Sequence, residues 1–207
     1  RHESLIDFSN HYFYQNQLII PPSPKTTSAV TTTKVDAYYK GKINIQEKDK
    51  LIKDLIPFMS ANIRKGDGDK KSKSCLIVTM NIFQAESIED DLNKKRLEYP
   101  IIEEYENSWK DTGEEFTVKN LESVQGDERD VIFISTIFGP EGPGMKPKQT
   151  FGPINNKGGQ RRLNVLFTRA RQNLHLYTSL SSNDIQSAGA PEGRQIFKAY
   201  IEYAKTG

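Results

Sequence analysis

Short apolar runs alternate with longer amphipathic stretches along most of the chain. Apolar residues recur at helical spacing in residues 46–64 and again in residues 193–205, so both segments are predicted to be helices. Residues 75–80 and 130–138 are almost continuously apolar, which is typical of strands in the centre of a parallel sheet. Residues 81–92 follow the first of these runs directly and carry an apolar stripe, which predicts a helix.

The remaining elements have weaker patterns. Residues 4–14 predict an amphipathic helix, whereas the prolines after it and the Thr/Ser/Lys run in residues 25–34 indicate a loop. Four further segments are predicted to be strands: 35–41, 99–105, 115–120 and 175–180. The alternation predicts an α/β fold with a mostly parallel central sheet and helices on both faces.

Ligands of such sheets bind at the carboxyl ends of the strands. Residues 79–81, residues 120–128 and the loop before Arg161 are therefore predicted to share one rim of the sheet.

Composition narrows the function only slightly. The 207 residues include 29 basic and 27 acidic ones, a net charge of +2, so bulk charge does not indicate a nucleic-acid-binding protein. The single cysteine, Cys75, excludes a disulfide within the chain and favours a reducing, cytoplasmic setting. No run approaches the roughly 20 apolar residues that span a bilayer, and the few histidines predict no metal site. The chain begins without methionine, which suggests a fragment of a larger protein.

One glycine-rich segment has the spacing of a phosphate-binding loop but not its chemistry. In residues 139–144 (Gly-Pro-Glu-Gly-Pro-Gly) the prolines remove backbone N–H donors, and Met145 stands where a lysine is required. No carboxylate ends the apolar run of residues 130–138, so there is no obvious magnesium site either. Without these Walker A and Walker B motifs, the chain alone is not expected to hydrolyse ATP.

Arginines are concentrated in residues 161–171. In a helix, Arg162 and Arg169 would lie on one face because they are seven residues apart, and the apolar residues between them would anchor the segment in the core. A rigidly held guanidinium suits phosphate, and an arginine finger accelerates phosphoryl transfer by about 10³–10⁵.

Four segments resemble motifs of superfamily 1 helicases, most closely the branch that includes the nonsense-mediated-decay helicase. Residues 125–132 (Gln-Gly-Asp-Glu-Arg-Asp-Val-Ile) resemble motif V, and residues 161–171 (Arg-Arg-Leu-Asn-Val-Leu-Phe-Thr-Arg-Ala-Arg) resemble motif VI. Residues 76–84 resemble motif IV, although Met80 and Ile82 depart from its pattern, and residues 1–6 resemble the end of the segment that precedes it. The motifs occur in the family's order over nearly the whole chain.

The resemblance implies that residues 1–207 form one three-layer, RecA-like domain, the second of a two-domain motor, with residues 1–34 leading into it. Its partners would be the N-terminal RecA-like domain of the same protein, which would hold most of the ATP and Mg²⁺, and single-stranded DNA or RNA, with no membrane. The implied roles are catalysis by the arginine finger Arg169, nucleotide binding by Gln125, Gly126, Glu128 and Arg162, and nucleic-acid binding by Thr79, Asn81 and Ser123.

Two other functions remain open from the residues alone. A stand-alone nucleic-acid-binding domain would account for Thr79 and Ser123 but gives no purpose to Glu128. A metal-dependent nuclease would use Asp127, Glu128 and Asp130, although their arginine neighbour disfavours a cation site.

Overall fold

Five parallel strands form one central sheet in this computed structural model, which describes residues 1–24 and 27–206. The strand order is β1-β5-β4-β2-β3, and every strand pairing is parallel. The strands are β1 (Val30–Lys34), β2 (Cys75–Thr79), β3 (Val118–Asn120), β4 (Arg129–Ser135) and β5 (Ala170–Thr178). The helices are α1 (Asp7–Phe13), α2 (Ile45–Ala61), α3 (Ile82–Glu98), α4 (Ile101–Ser108), α5 (Gly159–Phe167) and α6 (Glu192–Thr206).

The core has two halves because successive side chains of a strand point to opposite faces of the sheet. Cys75 and Ile77 of β2 pack on one face with residues of α2, α3 and α4. Leu76 and Val78 pack on the other face with residues of α1, α5 and α6. The predicted α/β, three-layer RecA-like fold is confirmed.

Two element predictions were wrong. Residues 35–41 contain no strand, and β1 lies in the segment predicted to be a loop. β1 is an edge strand in which only Val30 is buried, so its threonines give no apolar signal. Residues 99–105 belong mostly to α4 rather than to a strand. Pro100 at the N-cap and two glutamates in the first turn are helix-start signals that outweigh the short apolar pattern.

The prediction that one helix carries the four arginines of residues 161–171 was wrong. α5 ends at Phe167, Arg169 lies in the turn that follows, and Arg171 belongs to β5. The helix stops because Ala170 pairs with Arg129 in the sheet. Arg162 and Arg169 therefore do not lie on one helical face.

The predicted sites lie at two opposite edges of the sheet, not at one rim. Asn120 ends β3 at the carboxyl edge, and the next eight residues return to the amino edge, where Arg129 begins β4. Leu121 and Val124 of this connection are buried in the core that also holds Leu76. The two edges are separated by the length of β4, roughly 23 Å for seven residues in extended conformation.

Candidate functional site

Glu128 and Arg169 are neighbours at the amino edge of the sheet because of the register of β4 and β5. Arg129 lies opposite Ala170, so the residue before each strand occupies the same edge. The Arg129 backbone N–H donates to the Arg169 carbonyl at 3.3 Å and fixes this arrangement. Backbone pairing thus places Glu128 and Arg169 at the same edge, before the starts of two adjacent strands.

The Arg169 guanidinium is held by backbone and lacks an acidic partner. Its Nε donates to the Val165 carbonyl at 2.9 Å, so it satisfies one of the carbonyls left open at the end of α5. A positive charge is favoured there by the helix dipole. Within the described chain, no carboxylate lies in ion-pair distance of Arg169. Its charge therefore remains available for an anion.

Arg1 completes a basic cluster around Glu128. Its guanidinium lies 2.7 Å from the Glu128 carboxylate and also donates to the Thr168 carbonyl at 3.2 Å. The hydrogen bond from Arg1, with the charges of Arg1, Arg169 and Arg171, holds the pKa of Glu128 below its usual value. Within this cluster, Arg169 is the arginine that no carboxylate of the described residues pairs with, and a guanidinium in that state suits the binding of a phosphate group.

Arg171 and Arg162 have different surroundings from Arg169. The Arg171 guanidinium contacts the Glu114 carboxylate through two nitrogens and lies 3.2 Å from Asp130, so its charge is already paired. Arg162 lies on α5, where its buried Nη1 has no hydrogen-bond partner among the described residues. Such an unpaired buried donor is uncommon in folded proteins.

Gln125 and Gly126 are exposed residues of the connection that leads to Glu128. Gly126 has a φ of +91°, in the region that favours glycine. The ion pair between Lys119 and Asp127, at 2.5 Å, fastens the end of this turn to β3. The turn is therefore held by the buried Val124 before its exposed residues and by this ion pair after them.

Of the three predicted nucleic-acid-binding residues at the carboxyl edge, only Ser123 is exposed. The Thr79 side chain is completely buried, and its hydroxyl donates to the Asn81 carbonyl, so it is not available for direct contact with a ligand. Asn81 caps α3 by accepting the Gln84 N–H at 2.9 Å, and its amide donates to the Lys42 carbonyl at 2.8 Å. Thr79 and Asn81 therefore shape this edge. The Ser123 side chain is exposed, and its hydroxyl donates to the Asn120 carbonyl and accepts the Asn120 N–H, each at 3.2 Å.

A buried polar cluster behind the carboxyl edge was not predicted. Its centre is Glu47, which is fully buried and accepts hydrogen bonds from the Ser135 hydroxyl at 2.8 Å, the Ile137 N–H at 2.7 Å and the Ser179 hydroxyl at 3.0 Å. Burial raises the pKa of Glu47 to about 7, against the lowering effect of these hydrogen bonds. The cluster joins the start of α2 to the ends of β4 and β5.

A sequence signal for this cluster does exist. Asn44 and Glu47 have the spacing of a capping box ahead of an apolar run, and Asn44 does accept the Glu47 N–H at 3.1 Å. The Glu47 carboxylate, however, points to the ends of the strands, a destination that only the fold determines.

Comparisons with known proteins identify the family. Residues 25–180, about three quarters of the chain, match a family described as an AAA domain. The chain belongs to this AAA domain family. Two curated relatives of the AAA domain are an uncharacterized ATP-dependent helicase of Mycoplasma genitalium and its homolog in Mycoplasma pneumoniae. The first is 30% identical over 206 residues, 97% of this chain, and the second is 28% identical over 207 residues, 98% of this chain.

The AAA domain spans 17% of the length of each of these relatives. Among the helices of the described residues, none is long and apolar enough to cross a membrane. The same part of the chain contains no group of three or more His, Cys, Asp or Glu residues placed to hold a metal ion.

Proposed function

We propose that this AAA domain is the second RecA-like motor domain of a superfamily 1 helicase, of the branch that includes the nonsense-mediated-decay helicase. It would supply an arginine finger and part of the nucleic-acid track to a larger ATP-dependent motor. The observation that carries the proposal is the position of Arg169 at the amino edge, beside the start of β4 and near Glu128, where Arg169 has no ion-pair partner among the described residues. The two mycoplasma relatives, both named as ATP-dependent helicases, support the same activity.

The nucleotide would be bound between this edge and the N-terminal RecA-like domain of the same protein, which would hold most of the ATP and Mg²⁺. ATP supplies the free energy of each cycle when its terminal phosphate is hydrolysed. Arg169 would contact the γ-phosphate and stabilise the charge that develops there. Glu128 would accept hydrogen bonds from the ribose, and Arg162 would support this network. Gln125 and Gly126 would transmit conformational changes at Glu128 along the connection to the carboxyl edge.

The nucleic acid would run along the carboxyl edge, on the side of Ser123. Thr79 and Asn81 would contribute by holding the turn after β2, since their side chains are occupied by internal hydrogen bonds. Contacts of this kind go mainly to the phosphate backbone, so binding of a DNA or RNA strand is expected to be salt-sensitive and largely independent of sequence. β4 begins directly after Glu128 and ends at this edge, so it would link the two sites.

The nuclease alternative has less support from the geometry. Each of its three carboxylates forms an ion pair with a basic side chain: Asp127 with Lys119, Glu128 with Arg1, and Asp130 with Arg171. These ion pairs leave the three carboxylates without a shared site for a metal ion. A stand-alone nucleic-acid-binding domain would not need the arrangement of Glu128 and Arg169, so a test of Arg169 also decides between this alternative and the motor.

The test is ATP turnover by the full-length protein with Arg169→Ala. Loss of the finger is expected to lower nucleic-acid-stimulated turnover by about 10³ or more. Arg169→Lys is expected to recover little, because an ammonium group cannot reproduce the planar guanidinium. Arg161→Ala is the matched control, since Arg161 is an exposed arginine at the other end of α5.

Circular dichroism and thermal melting would establish that each variant is folded. Equal turnover by wild type and Arg169→Ala, with both proteins folded, would show that the finger assignment is wrong. Absence of nucleic-acid-stimulated ATP turnover in the wild-type protein would overturn the motor itself.

A further inference from the structure

A tight turn places a lysine beside the start of α3. Lys40 and Ile43 exchange two backbone hydrogen bonds, at 2.9 and 3.0 Å, and the two residues between them have positive φ, +56° at Gly41 and +73° at Lys42. This is the geometry of a two-residue hairpin turn, in which both central residues are left-handed. A left-handed conformation is unusual for lysine, so the turn holds Lys42 in a defined place.

Asn81 fastens this turn to α3. Its side-chain oxygen caps the helix, and its side-chain nitrogen donates to the Lys42 carbonyl at 2.8 Å. One residue of the motif IV segment thus positions both the start of the helix and the lysine turn. The arrangement gives Asn81 a purpose that does not require it to touch a ligand.

The turn and the helix bring together a cation and an exposed aromatic ring. The Lys42 ammonium lies 4.0 Å from the centre of the Phe83 ring, and Phe83 remains 43% exposed in the first turn of α3. Its neighbour Ile82 is 45% exposed. The first turn of α3 contains no acidic residue, and Lys40 adds a second positive charge to the turn. The result is an exposed apolar surface with a lysine on it at the carboxyl edge, beside the end of β2; the first acidic residue of α3 is Glu86, in the next turn.

We propose that Phe83 and Lys42 form a base-stacking platform for single-stranded nucleic acid, with one base on the Phe83 ring and the Lys42 ammonium on the adjacent phosphate. This inference rests on the proposed function and adds a base contact to a track described so far only by its backbone. Aromatic rings beside basic groups are the general means of binding single strands without sequence preference.

The charge and the geometry favour this ligand over an apolar peptide. An apolar partner would have to bury the Lys42 ammonium without a counter-charge, which is costly. A nucleotide satisfies both groups, because its base covers the ring and its phosphate neutralises the lysine. The exposed cation–π contact is the weaker interaction and gives way to base stacking, since the lysine chain is long enough to turn toward the phosphate.

The test is binding of a fluorescein-labelled oligothymidylate and an oligouridylate to the full-length protein, followed by anisotropy. Phe83→Ala is expected to lower affinity roughly five-fold or more for both probes, whereas Phe83→Trp retains or improves it. An oligomer with an abasic backbone should bind wild type and Phe83→Ala equally, because it has no base to stack. Lys42→Ala is expected to weaken all three probes and to reduce the slope of log affinity against log salt by about 0.7.

Tyr99 and Lys95 provide a matched control. They form the same kind of pair, with the ammonium 5.6 Å from the ring centre and Tyr99 42% exposed, but at the opposite end of α3. Tyr99→Ala and Lys95→Ala are expected to leave affinity and salt dependence unchanged. Equal losses at the two ends of the helix would overturn the platform, because the effect would then be non-specific.

The inference is also overturned if Phe83→Ala binds base-bearing probes like the wild type, or loses affinity equally for the abasic probe. Such a result leaves the proposed function standing as long as wild type binds the probes and Arg169→Ala lacks ATP turnover. Failure of the wild-type protein to bind any probe would overturn the platform and the nucleic-acid track together.

Discussion

Replacing Glu47 with glutamine is expected to remove a pH-dependent part of the stability of the fold. Glu47 is fully buried, and its carboxylate accepts the Ile137 N–H at 2.7 Å and the hydroxyls of Ser135 and Ser179. Glutamine has the same shape. Its oxygen can accept from Ile137 and Ser135, and its amide nitrogen can donate to the Ser179 hydroxyl, as the neutral carboxylic acid would.

The magnitude follows from the pKa of Glu47, which is about 7 in the folded protein and 4.5 in its ordinary environment. Below pH 4.5 both the folded and the unfolded chain carry the proton, so the contribution to stability is complete. Between pH 4.5 and 7 the unfolded chain releases the proton while the folded chain keeps it, which favours unfolding progressively. At 1.36 kcal/mol for each pKa unit, the free energy of unfolding falls by about 3 kcal/mol as the pH rises through this window.

The measurement is urea unfolding of the wild type and Glu47→Gln at several pH values from 4.5 to 8. Because glutamine does not ionise, the variant is expected to gain about 3 kcal/mol relative to wild type over this range. Other groups, including His175, whose pKa is lowered mainly by burial, are common to both proteins and cancel in the difference. Glu89→Gln, at an exposed position of α3, serves as the control. Parallel pH profiles for wild type and Glu47→Gln would refute the reasoning.

Two further predictions concern packing and charge. Arg171→Ala leaves the Glu114 carboxylate without its cation and is expected to lower the free energy of unfolding by about 1–2 kcal/mol, measured in urea; an unchanged midpoint would show that this partly exposed pair adds nothing. Gly193→Ala would place a Cβ 2.1 Å from the Ile154 carbonyl oxygen and is expected to lower the free energy of unfolding by about 1–3 kcal/mol or more. Gly68→Ala adds its Cβ in open space and is expected to leave the melting temperature nearly unchanged. Equal melting temperatures of these two variants would contradict the close approach.

The two-edge arrangement gives the Glu47 cluster a place in the proposed motor. Ile137 follows β4 at the carboxyl edge and has a φ of +62°, which is strained for a β-branched residue. Its N–H is bound by Glu47, and its carbonyl accepts from the Asn44 amide at 3.1 Å. The cluster therefore holds the end of a strand whose other end carries Glu128. A rigid β4 transmits displacement between the edges only if both of its ends are held.

Several features were predictable because their cause is local. The buried strands β2 and β4 have continuous apolar runs, which in a parallel sheet reflect burial on both faces. α2 and α6 have an apolar stripe at helical spacing. These patterns, together with their alternation along the chain, are sufficient for the fold class, and the motif V and VI segments are sufficient to direct attention to Glu128 and Arg169.

Features that depend on position in the sheet were not predictable in the same way. β1 was missed because an edge strand of threonines has no apolar run, and its existence depends on pairing with β5. α5 ends before Arg169 because Ala170, the first residue of β5, pairs with Arg129 of β4. In both cases hydrogen bonds to residues distant in sequence outweigh the local pattern.

The sequence by itself determined which residues carry charge, which segments are buried, and which motifs occur in which order. Only the tertiary structure decided that the connection after β3 crosses from one edge of the sheet to the other. That crossing separates Glu128 and Arg169 from Ser123. The tertiary structure also decided that Thr79 is buried and Phe83 is exposed. The physical reason is that strand order and register are set by packing and pairing over the whole sheet, which no local pattern encodes.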